Sequence, residues 1–498
     1  MTKQFKVCVL GGGTAGQIIA LILKSRFNEN IQIDIIKSDK VGIIGVGEGS
    51  TEHWKEFTNF VGIDPYELIS KTDATLKAAI MFDGWGNKKY IHNTTYSFSS
   101  IKFGQLHAAY LAMIKDKQPF EKLVNPLNYK AKIKSIYLPE NNFNQLLPTN
   151  QFHFNAVKLN FFLEEVCIKK QINCLTDEIV DVTLNNKGEI DSLKSLNKVY
   201  KNYNLYIDCT GFKKVLISKL GAKWISYDKY LHTNEAIAFP TEDTKEYPLY
   251  TLSKTLKYGW MWRIPTYGRW GNGYVYNNNY TNAEQAQIEV EKILGHKVNI
   301  FKNIKFNPGG LDKVWIKNCV ALGLSSIFIE PLEASSLASI IQQSFLLMHE
   351  LPIYNEKTIK QYNTKVEAIN KNIRDFICLH FYVKKQDSAF WKDIQNVALP
   401  DSLKNQLELW QNRLPIDEDF ADSKYLIYTP HNFILTLYGL GLLNISNLKK
   451  HYNFLSKKIK NEIKIEVDNL QKQYTIKQTT VGHKELLTQI RKHYEIRS

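Results

Sequence analysis

Apolar and polar positions alternate with two different periods along this chain, and the change between them divides it. Residues 5–10 form a short apolar run of strand length, and residues 31–36 alternate as a buried strand does. Between them residues 11–16 are a glycine turn and residues 17–25 read as a helix, so the chain begins as a βαβ unit. Strand-like runs return at 132–139 and 247–277, which predicts an inserted β-rich region. Residues 205–211 read as a further core strand ending in a turn. From about Glu333 onward the spacing becomes helical, over 337–351, 358–381, 403–412, 432–441 and 455–472. The predicted fold class is α/β: a doubly wound nucleotide-binding core, a β-rich layer and a helical C-terminal lobe. No repeat or low-complexity linker interrupts it.

Composition narrows this picture little. A chain of 498 residues with 44% hydrophobic residues can bury a large core, which excludes a disordered protein and suggests two intimately packed lobes. Six cysteines, at 8, 167, 174, 209, 319 and 378, show no metal-ligand spacing and mostly sit in apolar runs. A reduced, cytoplasmic setting and no metal site are expected. Met1 to Gln4 leads straight into a strand without a signal-peptide pattern, and no apolar run reaches the roughly 18 residues of a membrane span. The net charge of +15 permits attraction to nucleic acid, but the lysines are scattered, without interleaved aromatics. Solvated surface is the favoured reading, with no nucleic-acid or membrane partner.

Several short segments carry chemistry. Gly11-x-Gly13-x-x-Gly16 follows a strand and opens a helix, as a pyrophosphate-binding turn does, with Thr14 and Ala15 inside it. The acid that normally ends the second strand and holds a ribose is missing. Lys37 follows Ile36, and Ser38 or a backbone group takes that role instead. Residues 44–50 are a second glycine-rich loop, containing Val46, Gly47, Glu48 and Gly49, that lets backbone approach a ligand closely. Lys77 lies among small and apolar residues, where an ammonium is costly unless paired or used. Trp260 and Trp262 are two apart, so both rings face one side of a strand, which Pro265 is expected to end. Glu330 and Glu333 flank Pro331 where a helix starts, and free amides there can bind an anion. Each segment has a bland alternative: a flexible loop, a snorkelling lysine, core aromatics or an acidic helix cap.

Together these segments resemble the flavin-dependent halogenases of the tryptophan halogenase family. Gly259-Trp260-Met261-Trp262-Arg263-Ile264-Pro265 is similar to that family's G-W-x-W-x-I-P signature, and residues 73–80 match its active-site lysine segment. Asp208-Cys209-Thr210-Gly211-Phe212 resembles its D-C-[ST]-G-F segment. Residues 330–336 resemble E-P-L-E-S-T-G, with Ala334, Ser335 and Ser336 replacing serine, threonine and glycine. Weaker similarity at 153–163 and 376–391 extends the resemblance from residue 5 to about 395; His380, in the second stretch, reads as a packing position.

The resemblance implies a flavin monooxygenase-like FAD core with its inserted β-rich substrate region over 1–395, and a helical substrate or lid region over 396–498. It implies reduced FAD from a separate flavin reductase, O2 and halide, which give hypohalous acid. Lys77 would hold that acid and Glu333 would stabilise or deprotonate the arene intermediate. Ser335 and Ser336 would bind halide, while Trp260, Trp262 and Pro265 would part flavin from substrate. Gly11, Gly13, Thr14, Ala15, Gly16, Ser38, Val46, Gly47, Glu48, Gly49, Ile179, Leu324 and Leu337 would contact FAD. The implied substrate is an electron-rich aromatic of indole, phenol or pyrrole type, and a homo-oligomer is compatible. A flavoprotein that hydroxylates an aromatic directly is the second reading, though it needs neither Lys77 nor the W-x-W-x-I-P segment. A non-catalytic or nucleic-acid-binding flavoprotein is the third.

Overall fold

Parallel pairing of the first strand on both sides sets the frame of the molecule. The computed structural model describes residues 4–40, 42, 48–86, 89–93, 132–134, 151–420, 423–465 and 480–497. Val46, Gly47 and the Glu48 side chain therefore lie outside the described residues, as do residues 135–139 and 466–472 of the expected elements.

The strand Phe5–Leu10 lies between Ile31–Lys37 and Leu205–Asp208, with Val7 opposite both Ile33 and Leu205. Asn173–Thr176 extends the sheet on one side, and Cys319–Ala321 and Trp315–Ile316 on the other. All pairs are parallel except the last, which is antiparallel. Parallel strands require crossovers. The first crossover is the helix Thr14–Phe27, longer at both ends than the apolar spacing predicts. The helices Ala156–Lys169 and Ser335–Glu350 pack against it. A small antiparallel sheet of residues 179–201 is tied on where the Tyr206 hydroxyl donates to the Asp191 carbonyl at 3.0 Å.

The β-rich layer is a seven-stranded sheet with Gly259–Thr266 in its middle, between Tyr250–Leu256 and Arg269–Tyr276. Strand alternation divides its side chains between two cores. Met261, with Ile237, Phe239, Tyr274 and Tyr276, packs under the helix Ala283–Leu294. Trp260, Trp262 and Ile264 point into the main core. The strand does not end at Pro265 but runs to Thr266, with Pro265 opposite Trp270. The neighbour on the other side pairs only as far as Arg263, so no ladder donor is required of Pro265 there.

Ala79–Asp83 and Tyr90–Asn93 complete this sheet, which joins the segment following Lys77 to the strand containing His92. The C-terminal region is helical over Glu356–Phe381, Asp401–Leu409, Pro430–Gly439 and Ile445–Phe454. The last helix, His483–Arg497, returns to pack on Pro65–Thr72. Among the described residues no helix is long and apolar enough to cross a membrane.

Candidate active site

The first glycine turn is built by close approach. Gly11 has φ +118°, and a Cβ on it would lie 2.2 Å from the Cys209 carbonyl oxygen. A Cβ on Gly16 would lie 2.1 Å from the Gly11 carbonyl oxygen. No side chain is tolerated at either place. The helix after the turn has no side-chain cap and no acid in its first turn. Its first amides, at Thr14, Ala15 and Gly16, thus point outward beside the open edge of Gly13, which suits a pyrophosphate. Asp208 anchors the adjoining segment, its buried carboxylate accepting from the Thr210, Leu216 and Ile217 amides.

Gly323 presses on the turn, where an added Cβ would meet the Ala15 Cβ at 2.8 Å, and Leu324 follows directly. Leu337 is buried in the helix that packs on Thr14–Phe27, and Ile179 is half-buried at the head of its strand. Ser38 is half-buried, with its Oγ accepting from the Lys40 amide at 3.3 Å, while Lys37 pairs with Glu164. The residues here fit a dinucleotide.

Lys77 is fully buried and lies between the strands Thr75–Leu76 and Ala79–Asp83. Its Nζ donates to the Ser50 carbonyl at 2.8 Å. A Cβ on Gly49 would lie 3.4 Å from both Lys77 Nζ and the Ala334 Cβ, so the second glycine loop, the lysine and the Glu333 turn meet at one point. Burial lowers the Lys77 ammonium to about 8, against the opposing charges of Glu333 and Glu52.

The buried His153 ties this point to the tryptophan strand. Thr75 donates its hydroxyl to the Pro265 carbonyl at 2.7 Å, so it can only accept from His153 Nδ1, 3.1 Å away. The other ring nitrogen of His153 then accepts from Thr251 at 2.8 Å.

Glu333 is the second centre. It has φ +68° and Ala334 φ +55°, both left-handed, whereas Ser335 and Ser336 begin the helix Ser335–Glu350. The helix begins without a side-chain cap or an acid, which leaves its first amides available to an anion. Replacing the family's glycine by Ser336 therefore does not strain the backbone, because Ser336 is helical. Both Glu333 oxygens lie 2.7 Å from His92 Nδ1, and Oε1 lies 2.9 Å from His380 Nε2. Burial alone would raise this carboxyl; the facing His92 and His380 rings and their hydrogen bonds outweigh it and hold it at about 2. His380 is thus no mere packing residue. A polar ring on the inner face of a core helix is costly unless it reaches a partner, and here the partner is Glu333.

Trp260 and Trp262 lie on one face, as their spacing predicts, with ring centroids 6.1 Å apart. Trp262 lies over Gly273, where an added Cβ would fall 2.0 Å from the indole. The Trp260 indole N–H donates to Glu330 at 3.1 Å, and the Thr233 hydroxyl donates to the other oxygen. Burial pushes the Glu330 carboxyl up to about 8. Since Glu330 and Glu333 share one turn, the tryptophan face and the histidine-held carboxylate are rigidly related.

Sequence reading missed His92 and Asn432 and gave Tyr428, one of several C-terminal aromatics, no role. His92 precedes a segment without motif character, and its signal is only a polar residue at an inward position of a strand, two after the buried Tyr90. Asn432 donates to His92 at 2.9 Å, and the Tyr428 hydroxyl lies 3.5 Å from the Glu333 carbonyl. Both lie in the C-terminal region, where the resemblance fades.

Known proteins share this fold. Residues 6–452 match the family described as tryptophan halogenase. A 7-chloro-L-tryptophan 6-halogenase from Kutzneria sp. (strain 744) is 28% identical over 87% of this chain and 90% of its own. A tryptophan halogenase structure from Shewanella frigidimarina NCIMB 400 superposes with a TM-score of 0.86 at 26% identity, covering 99% of this chain and 98% of the other. A flavin-dependent halogenase from Xanthomonas campestris superposes with 0.81 at 26% identity, over 98% of each chain. With its glycine turn, buried lysine and carboxylate turn, this chain belongs to the tryptophan halogenase family of flavin-dependent enzymes.

Proposed function

We propose that this enzyme halogenates a small electron-rich aromatic of indole, phenol or pyrrole type by way of hypohalous acid held at Lys77. The observation that carries this reading is a fully buried ammonium beside a histidine-held carboxylate turn. FAD, when bound in reduced form from a separate reductase, supplies with O2 the oxidising power that turns halide into hypohalous acid.

The chain's own groups do the rest. The outward amides at Thr14, Ala15 and Gly16 bind the cofactor's pyrophosphate, and the amides at Ser335 and Ser336 offer the halide site. The Lys77 ammonium donates to the oxygen of the acid and leaves the halogen electrophilic. Glu333 places a negative charge where the arene becomes cationic. Trp260, Trp262 and Pro265 keep flavin and substrate apart, which prevents direct hydroxylation.

Residues 1–395 form the FAD core with its β-rich insertion, and 396–498 the region that closes over the substrate. Tyr428 and Phe433 are buried there against Phe376, near Glu333. The relatives named as tryptophan 6-halogenases make tryptophan the first substrate to try. The setting is the cytoplasm, beside the reductase.

The test supplies FAD, a flavin reductase, chloride, bromide or iodide, and a panel of indoles, phenols and pyrroles that includes tryptophan. Mass spectrometry is expected to detect halogenated product, and hydroxylated product alone would overturn the reading. Lys77→Ala is expected to abolish halogenation while flavin oxidation continues. Halogenation surviving in that variant would remove Lys77 from the mechanism.

A further inference from the structure

Two imidazoles face one buried carboxylate, and their second nitrogens decide where the protons sit. Around His92 the decision comes from Asn432. Its Oδ1 lies 2.8 Å from the Thr429 backbone N–H, which can only donate, so the side chain's orientation is settled. The Asn432 amide nitrogen therefore donates to His92 Nε2 at 2.9 Å. His92 is left with its single ring proton on Nδ1, aimed at both oxygens of Glu333 at 2.7 Å.

His380 stands between two acceptors. Its Nδ1 is 2.8 Å from the Phe376 carbonyl oxygen and its Nε2 is 2.9 Å from Glu333 Oε1. A neutral ring can satisfy only one of them unless Glu333 itself is protonated. An imidazolium satisfies both, and the carboxylate then accepts from His92 and His380 together. The rings of Phe82, Phe376 and Trp85 surround His380, with centroids 4.9, 4.8 and 6.3 Å away. They exclude water, which strengthens a charge pair.

We propose that Glu333 and His380 form a permanent buried ion pair, with His92 locked by Asn432 as a neutral second donor. His92 and His380 are then positioning residues that keep Glu333 a fixed negative charge and deny it the part of proton acceptor. The other titratable groups nearby are consistent with this. Burial pushes the phenols of Tyr90 and Tyr428 well up and His431 down to about 3, so all three are neutral. The other ionisable groups of this interior are the Lys77 ammonium, Glu52, whose carboxyl burial raises to about 7, and Glu330, which burial raises to about 8.

The catalytic meaning of this pair rests on the proposed function, but the pair is a property of the protein alone. It can be tested without turnover. Full-length protein carrying 15N-histidine would be followed by solid-state 15N NMR from pH 6 to 9. One of the twelve histidines is expected to keep both ring protons at pH 9, and Glu333→Gln is expected to abolish that signal. Asn432→Asp places a carboxylate against His92 Nε2 and is expected to create a second persistent imidazolium.

Loss of every imidazolium signal by pH 8 in the unaltered protein would overturn the proposal. So would an imidazolium that survives in Glu333→Gln. A persistent imidazolium in a protein that halogenates nothing would leave the pair standing and sink the proposed function instead.

Discussion

Lys77 has its strongest consequence in pH. Its ammonium falls from an ordinary 10.5 to about 8 because burial penalises the charge. If the charged form polarises the oxidant, halogenated product per flavin oxidised should fall as pH rises through about 8, while flavin oxidation continues. A yield flat to pH 10 would exclude the charged lysine. For stability the sign is opposite. Between about 8 and 10.5 the unfolded chain keeps a proton that the folded chain has released, so stability rises with pH across that window. Below it the fold bears a buried charge at a cost on the order of 3 kcal/mol. Lys77→Met should therefore be inactive yet more stable at pH 7, by about 1–3 kcal/mol in urea unfolding. The lysine was legible in the sequence because it contradicts its apolar surroundings. His92 and His380 were not, because a histidine in a strand or helix is unremarkable until its partner is known, and Glu333 is 241 and 47 residues away.

At the scale of elements, the tryptophan strand shows what periodicity can and cannot tell. Alternation placed Trp260 and Trp262 on one face, and the structure agrees. Its length was misjudged because whether proline interrupts a ladder depends on which neighbour still pairs at that position, and that is a tertiary fact. The glycine opposite Trp262 was equally invisible, since nothing in the spacing pairs 262 with 273. Gly273→Ala should force the indole off its place. The expected cost is about 1–3 kcal/mol in urea unfolding, with an altered tryptophan fluorescence spectrum. An unchanged spectrum and midpoint would show that the ring has room elsewhere. The helices His53–Val61 and Pro65–Thr72, between the second glycine loop and Lys77, were also not anticipated. They are short and amphipathic, and tertiary packing rather than propensity stabilises such segments.

At the scale of the whole molecule, the chain's end supports the lysine. His483 accepts from the Leu76 backbone N–H at 3.0 Å, one residue before Lys77 and 407 positions away in sequence. Arg491 pairs with Asp73, and the Tyr267 hydroxyl meets Thr488 at 3.0 Å. No reading of local pattern finds such contacts, and similarity to known motifs had faded by residue 395. His483→Ala leaves a buried N–H without its acceptor and should cost about 1–3 kcal/mol. Faster hydrogen exchange at Leu76 would locate the effect, and unchanged exchange would show that the last helix is dispensable to the lysine.

The aromatic face has one more consequence, which concerns how long the enzyme lasts. Trp260 touches Trp262 on one side and Trp85 on the other, and Trp85 lies 5.8 Å from Trp391. Indoles are electron-rich rings, the kind of substrate proposed for this enzyme. If these rings part flavin from substrate as proposed, the barrier is made from the material that an electrophilic halogen source attacks, and every turnover would carry a small chance of the reagent being consumed by its own container. Inactivation should accompany halogen incorporation into the peptide containing Trp260 and Trp262, in proportion to turnovers completed rather than time elapsed. Peptide mass spectrometry during exhaustive turnover would reveal it, and an inactivated enzyme with unmodified tryptophans would show that the barrier is never breached. The working life of the protein would then be counted in reactions, and its limit would lie in the wall that makes the reaction selective.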